Sequence, residues 1–102
     1  MRTLADVKRL CKVGAKLTMI RHDWYPNGPL IGVTREIIFV KKCSIALKTK
    51  LAEGKISWLE WRPASETCIG INGFGGILPP NVFGVALNIE QDEWMYYRIE
   101  PE

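Results

Sequence analysis

The spacing of hydrophobic residues begins with a helical period. Apolar residues recur every three or four positions near the start of the chain: Leu4, Val7, Leu10 and Cys11. Thr3 and Asp6 form a capping-box pattern, in which the Thr3 side chain accepts hydrogen bonds from first-turn amides. Gly14 then provides a stop. The pattern predicts a short amphipathic helix over about residues 4–12.

From Lys16 onwards the period changes to that of a β-strand, with apolar and polar residues in alternation. We predict seven strands, at residues 16–24, 33–41, 44–51, 55–62, 67–71, 82–90 and 94–99. Glycine and proline make 25–32 and 72–81 irregular, and 52–54 reads as a hairpin turn. Residues 63–66 suit a single 3₁₀ turn because Pro63 cannot donate to a strand ladder.

Three strands carry further information about their faces. The alternation of 82–90 predicts one buried face, formed by Phe83, Val85, Leu87 and Ile89. Four consecutive apolar residues at 37–40 are typical of a strand that is covered on both sides. On strand 55–62, Trp58 and Trp61 take opposite faces, so one of them faces outward or is covered by the C-terminal hairpin or a partner.

The order of elements over residues 15–71 is strand, long loop, two strands in succession, a fourth strand, a 3₁₀ turn and a short fifth strand. This order resembles that of SH3-like small barrels, whose fourth and fifth strands are joined by such a turn. The acidic loop motif and tyrosine pair of peptide-binding SH3 domains are absent, so the resemblance implies the architecture alone. We therefore predict a mainly β (α+β) fold, in one domain over 1–102: a short N-terminal helix, an SH3-like partly open barrel and an appended C-terminal hairpin at 82–99.

The segments KLTMIRHDWYPNGPLIGV, REIIFVKKCSIALKTK and SWLEWRPASE are similar in texture to small proteins carried on bacterial mobile elements such as phages, plasmids and integron cassettes. This resemblance implies no biochemical role and no site residue.

Length, hydropathy and cysteine usage predict a cytoplasmic protein without a membrane segment. With 102 residues, 47% of them hydrophobic, the chain can bury a core without cross-links. No apolar run approaches the roughly 20 residues of a membrane span, and the N-terminus lacks the apolar stretch of a secretion signal. The three cysteines, Cys11, Cys43 and Cys68, are odd in number and widely spaced, which predicts buried free thiols in a reducing compartment.

Few residues suggest catalysis or cofactor binding. His22 is the one histidine, and its neighbour Asp23 points to the opposite face of a strand, which favours a surface or loop-capping role. A zinc site would require His22 and all three cysteines to converge, and their spacing does not favour it. The glycines at 73–76 precede two prolines that block the helix of a phosphate loop. We predict no catalytic residue, no metal and no cofactor.

Charge and aromatic residues suggest a binding face. Residues 1–50 carry eleven Lys and Arg against three Asp and Glu, a net charge of +8, whereas residues 51–102 carry three against eight, a net charge of −5. Exposed aromatics with a basic rim would resemble a stacking platform for nucleic acid. The candidate ligand-binding residues are Trp24, Tyr25, Lys41, Lys42, Lys48, Lys50 and Trp61.

Two interpretations of this face remain open. The lysines either bind a polyanion or only solvate an edge strand and prevent aggregation. The aromatic residues either stack on a ligand or are covered by the C-terminal hairpin or a dimer partner. The function predicted first is that of a small non-catalytic binding or accessory protein, whose partner is another protein or a second copy in a homodimer. The alternative is a weak nucleic-acid-binding module, and an enzyme is the hypothesis that the sequence supports least.

Overall fold

One short helix and seven strands form the fold in a computed structural model, which describes residues 3–48, 56–69 and 78–101. The elements are α1 (Leu4–Leu10), β1 (Lys16–His22), β2 (Thr34–Val40), β3 (Ser44–Leu47), β4 (Ser57–Glu60), a 3₁₀ turn (Ala64–Glu66), β5 (Thr67–Ile69), β6 (Val82–Asn88) and β7 (Glu93–Ile99). The predicted mainly β class with a short N-terminal helix is confirmed. The capping box is also present, because the Thr3 side chain and the Asp6 side chain each accept the other residue's backbone N–H.

All strands belong to one antiparallel sheet in the order β4-β3-β2-β1-β7-β6-β5. The sheet does not close into a barrel among the described residues, where β4 and β5 are its two edges. The C-terminal hairpin is not appended to the outside, as the sequence suggested, but lies within the sheet: β7 pairs with β1, with Leu17 opposite Ile99 and Met19 opposite Tyr97. The predicted turn at 52–54 and most of the loop at 72–81 lie outside the described residues.

The main core lies on one side of this sheet. Helix α1 contributes the fully buried Val7, and the Cys11 side chain that follows it is buried as well. Phe83 on β6 is the largest fully buried side chain in the described ranges, and it stacks on Tyr97 of β7 at a centroid distance of 5.8 Å. Trp61, beyond the end of β4, packs half-buried against Phe83 at 5.9 Å. The core therefore connects both halves of the sheet.

The opposite face of β5, β6 and β7 carries a second, smaller cluster. Its buried members are Cys68, Leu78, Val82, Ala86, Trp94 and Tyr96. Gly84 lies beneath the ring of Tyr96, and a Cβ at this position would stand 2.6 Å from Tyr96 Cε1 and 2.8 Å from Cδ1. This half of the sheet is therefore buried on both faces, and Gly84 is present because the tyrosine ring occupies the space of a side chain.

Strand β2 departs from the predicted two-sided burial. A register shift between Ile37 and Phe39 places two residues of β2 opposite Ala46 of β3, as in a β-bulge. Ile37 is fully buried, but Ile38, Phe39 and Val40 are 37%, 53% and 44% exposed. Only Ile37 of this apolar run is therefore buried, although Val40 is the Cα partner of the buried Ile45.

The predicted buried face of β6 is interrupted by a second shift. Phe83 and Val85 are buried, as expected, but the register changes between Ala86 and Asn88. Leu87 is only half-buried, and Ile89 lies in the following turn with 46% of its surface exposed. The prediction that all four residues are core is therefore wrong for Leu87 and Ile89, because the alternation ends at the shift.

Paired substitutions test this boundary of the core. We expect Phe83→Ala to lower the free energy of unfolding by about 3–5 kcal/mol, since it removes a fully buried ring. Ile89→Ala should cost about 1 kcal/mol or less because half of the side chain is already in water. Chemical denaturation measures both values, and equal losses would contradict the register shift.

A second substitution tests the contact between Gly84 and Tyr96. In Gly84→Ala the new methyl group forces the buried ring of Tyr96 to move, and we expect a loss of about 1–3 kcal/mol in the free energy of unfolding. Chemical denaturation with matched m-values is the measurement. A loss below about 0.5 kcal/mol, the range of ordinary surface changes, would mean that the Tyr96 ring does not exclude a side chain at position 84.

Candidate functional site

The side of β2, β3 and β4 that faces away from the main core carries a group of exposed apolar side chains. Four of the ten large, exposed hydrophobic residues in the described part of the chain lie here, two on β2 and two at or just before the start of β4. We define the outer patch as Ile38, Phe39, Ile56 and Trp58, which are 37%, 53%, 46% and 43% exposed. A contiguous apolar surface of this kind marks an interaction site more often than an ordinary surface does.

Strand register explains how the two aromatic residues meet. Phe39 and Trp58 are both the Cα partners of Ala46, so the three side chains share one face of the sheet. The rings of Phe39 and Trp58 meet edge to face at 6.3 Å, above the small and fully buried Ala46. The pair is therefore held in place while both rings keep part of their surface in solvent.

Charged side chains of both signs surround the outer patch. The Lys41 ammonium lies 4.6 Å from the Trp58 ring centroid, in a cation–π contact. Lys42 follows in the exposed turn between β2 and β3. Glu36 and Glu60 are also exposed, and each lies two residues from a member of the patch, on the same face of its strand. The rim of the patch is therefore mixed in charge.

The structure distributes the predicted binding residues over several places. Lys41 and Lys42 lie beside the outer patch, whereas Lys48 follows the other end of β3, where its N–H donates to the Glu36 carbonyl. Trp61 is turned towards the core and contacts Phe83. Lys50 lies outside the described residues. Of the two tryptophans of the predicted strand 55–62, Trp58 is the outward one.

Trp24 and Tyr25 belong to the loop between β1 and β2. They are 50% and 65% exposed, and their rings contact that of His22 at 6.2 Å and 5.1 Å. The residues that the sequence analysis missed are Phe39, Ile38 and Ile56. The apolar run at 37–40 was the available signal for two of them, but it was interpreted as two-sided burial.

His22 and Asp23 serve different purposes. The Asp23 carboxylate accepts hydrogen bonds from Arg21 Nε at 2.6 Å and from the Trp94 N–H at 2.8 Å, which fastens the start of the loop to β7. His22 Nδ1 is buried and has no partner among the described residues. Burial lowers the pKa of His22 below its usual value, and the nearby Asp23 charge opposes this shift. His22 is therefore neutral at pH 7.

The cysteines differ in their surroundings. Cys11 and Cys68 are buried, but Cys43 is exposed in the turn between β2 and β3, so the expectation of three buried thiols is wrong for Cys43. Burial raises the pKa of Cys11 to about 12 and that of Cys68 above its usual value. Within the described ranges, no three His, Cys, Asp or Glu residues are grouped as metal ligands.

Comparison of the chain with protein-family models, curated proteins and solved structures found no match. The resemblances to SH3-like barrels and to mobile-element proteins therefore stay predictions. In the part of the chain that the structure describes, no helix is long and apolar enough to cross a membrane.

The lowered pKa of His22 predicts a pH-dependent stability. The unfolded chain binds a proton near the usual pKa of 6.5, whereas the folded chain binds it only at lower pH. As the pH falls from about 7.5 to about 5.5, the unfolded state takes up the proton first, so the free energy of unfolding decreases. In His22→Gln this part of the decrease should disappear. Denaturation at several pH values is the measurement, and parallel curves for both proteins would contradict the assignment.

Proposed function

We propose that this chain is a small non-catalytic binding protein that associates with a second copy of itself through the outer patch and its charged rim. The observation that carries the proposal is the exposed edge-to-face pair of Phe39 and Trp58 on the face of the sheet. Aromatic residues on such a face are enriched at protein interfaces. β4 is also an edge strand of the sheet, so a second molecule can reach the patch without displacing another described element.

The mixed rim supports a second copy as the partner. A two-fold interface brings the same surface of each molecule together, so its charges must complement themselves. The patch has Lys41 and Lys42 at one end and carries Glu36 and Glu60 on its own face. A rotated copy can therefore place lysines of one chain opposite carboxylates of the other, around a shared apolar centre.

The same features support nucleic-acid binding less well. A stacking platform needs an open ring face and a rim of one charge sign. One face of Trp58 already carries the Lys41 ammonium at 4.6 Å, and two carboxylates lie on the same surface. The experiment must therefore distinguish self-association from nucleic-acid binding.

A cytoplasmic location is part of the proposal. It is supported by the three free cysteines, since an exposed thiol such as Cys43 persists in a reducing compartment. The absence of a catalytic role is proposed as well. It is supported by the bonding of the Asp23 carboxylate, one oxygen of which accepts from Arg21 on β1 and the other from the Trp94 N–H on β7, so that it does not orient His22.

Sedimentation velocity over a wide range of protein concentration tests the interface. We expect a monomer–dimer equilibrium for the natural chain. Phe39→Ser should weaken it by about 30-fold or more in the dissociation constant, as for a central aromatic residue of an interface. Ile56→Ser should also weaken it, whereas the control Ile89→Ser should not. Ile56 and Ile89 are both 46% exposed, but only Ile56 belongs to the outer patch.

A monomer at every concentration would contradict self-association, and so would equal effects of Ile56→Ser and Ile89→Ser. Fluorescence anisotropy with a labelled oligonucleotide is the second measurement. Salt-sensitive binding that is lost in Lys41→Glu with Lys42→Glu would favour the nucleic-acid alternative.

A further inference from the structure

A cavity lies on the core side of the same sheet, and Trp58 is the one residue of the outer patch that also borders it. Its volume is about 290 Å³, and it is bounded by β1, β2, β4, β7 and the loop between β1 and β2. Most of its wall is apolar: Met19, Leu30, Ile31, Leu59 and Met95. Ligand-binding clefts begin at about this size and have this kind of lining.

The loop that forms one wall is held by backbone hydrogen bonds. Gly28 N–H donates to the Tyr25 carbonyl at 2.9 Å, and Ile31 N–H donates to the Gly28 carbonyl at 3.2 Å. Gly32 N–H then reaches back to the Met19 carbonyl on β1 at 2.7 Å, from a positive φ of 81° that glycine adopts readily. The cavity is therefore preformed by successive turns of the chain.

Arg35 is a buried cation in the cavity wall. It is 6% exposed, and it shares the core face of the sheet with its Cα partner Leu17. Its guanidinium donates to the Tyr97 hydroxyl at 3.5 Å, the upper limit for a hydrogen bond. Burial raises the pKa of Tyr97, so this phenol is neutral at pH 7 and supplies no negative charge.

No carboxylate in the described ranges forms an ion pair with Arg35; those ranges pair Arg9 with Asp6, Arg21 with Asp23 and Arg98 with Glu100. A guanidinium stays protonated in proteins, and its burial without an anion is unfavourable. Among the described residues, the positive charge of the cavity therefore lacks a counter-ion.

A second polar group lines the same cavity. His22 contributes to the wall, and its Nδ1 is the buried nitrogen that lacks a partner among the described residues. Because His22 is neutral, Arg35 supplies the one net charge among the described residues that line the cavity. The lining thus combines one fixed cation, one unsatisfied imidazole nitrogen and an apolar wall.

We propose that this cavity binds a small monocarboxylate with an apolar tail. The carboxylate pairs with the Arg35 guanidinium, which can donate two parallel hydrogen bonds to it. The tail packs against the apolar wall of the same cavity. A monoanion matches the single charge of the lining, whereas a phosphate monoester would bring a second negative charge without a partner.

Isothermal titration calorimetry with three eight-carbon probes tests the ligand class. We expect sodium octanoate to bind, and we expect 1-octanol, which has the same tail without the charge, to bind at least about tenfold more weakly. Octyl phosphate should also bind more weakly than octanoate. No octanoate binding, equal affinity for octanoate and octanol, or tighter binding of octyl phosphate would each overturn the proposal.

Substitution of Arg35 tests the residue. Arg35→Met keeps most of the side-chain volume and removes the charge, so octanoate affinity should fall by about tenfold to 100-fold while octanol affinity is unchanged. Arg62→Met, at an exposed arginine outside the cavity, is the matched control and should bind octanoate as the natural chain does. Unchanged octanoate affinity in Arg35→Met would overturn the assignment.

Thermal unfolding and an outer-patch variant keep the test independent of folding and of the proposed dimer. Removal of an unpaired buried charge should leave Tm unchanged or raise it, and Arg35→Lys, which keeps the charge without the planar fork, should give intermediate affinity. Ile38→Ser, at an outer-patch residue that does not line the cavity, should bind octanoate normally. A lowered Tm in Arg35→Met together with natural affinity in Arg35→Lys would assign Arg35 to packing and overturn the proposal.

Discussion

The curvature of the sheet follows from the short connection between its two edge strands. β4 ends at Glu60 and β5 begins at Thr67, yet the five other strands lie between them in the sheet. In a flat sheet these edges would be about 29 Å apart. The connecting chain spans at most about 25 Å when fully extended, and its 3₁₀ turn shortens it further. The sheet must therefore curl, and the contact of Trp61 with Phe83 shows that its two halves share one core.

This curl gives the two halves of the sheet different surroundings. The half formed by β5, β6 and β7 is buried on both faces, with Phe83 on one side and Tyr96 on the other. The half formed by β2, β3 and β4 is buried on one face, where Ile37, Ile45 and Leu59 lie. Its other face holds the exposed outer patch. The departures from ordinary burial thus concentrate in one half: an exposed aromatic pair outside, and inside a buried arginine that has no carboxylate partner among the described residues.

Much of the fold could be predicted from periodicity and turn chemistry, because these depend on neighbouring residues. Thr3 and Asp6 identify the start of the helix, and Pro63 identifies the 3₁₀ turn. The strand order could not be predicted in this way, since nothing local indicates that β7 pairs with β1. Bulges set a second limit: the shifts at Ile37–Phe39 and at Ala86–Asn88 each change which side a residue faces. Phe39 and Ile89 were misassigned for this reason.

The candidate sites were harder to predict than the fold, because each depends on residues that are distant in sequence. Phe39 and Trp58 meet only because both pair with Ala46. Arg35 had a signal that was overlooked: it has the same strand parity as Ile37, and Ile37 is fully buried. A charged residue whose strand alternation places it on the core face lies either at the end of the buried face or beside a cavity that a ligand fills.

Arg35 shows how these two cases can be separated. At the end of a buried face, an arginine extends its stem over apolar groups and keeps its guanidinium in water. Arg35 is instead only 6% exposed. The loop between β1 and β2, which is held by its own backbone hydrogen bonds, lines the same cavity as Arg35. Natural proteins depart from the ordinary preference for apolar or paired residues at buried positions chiefly at functional sites. A buried cation that faces an apolar cavity, in a sheet whose other half follows the ordinary rules of burial, is therefore better explained by a ligand than by stability.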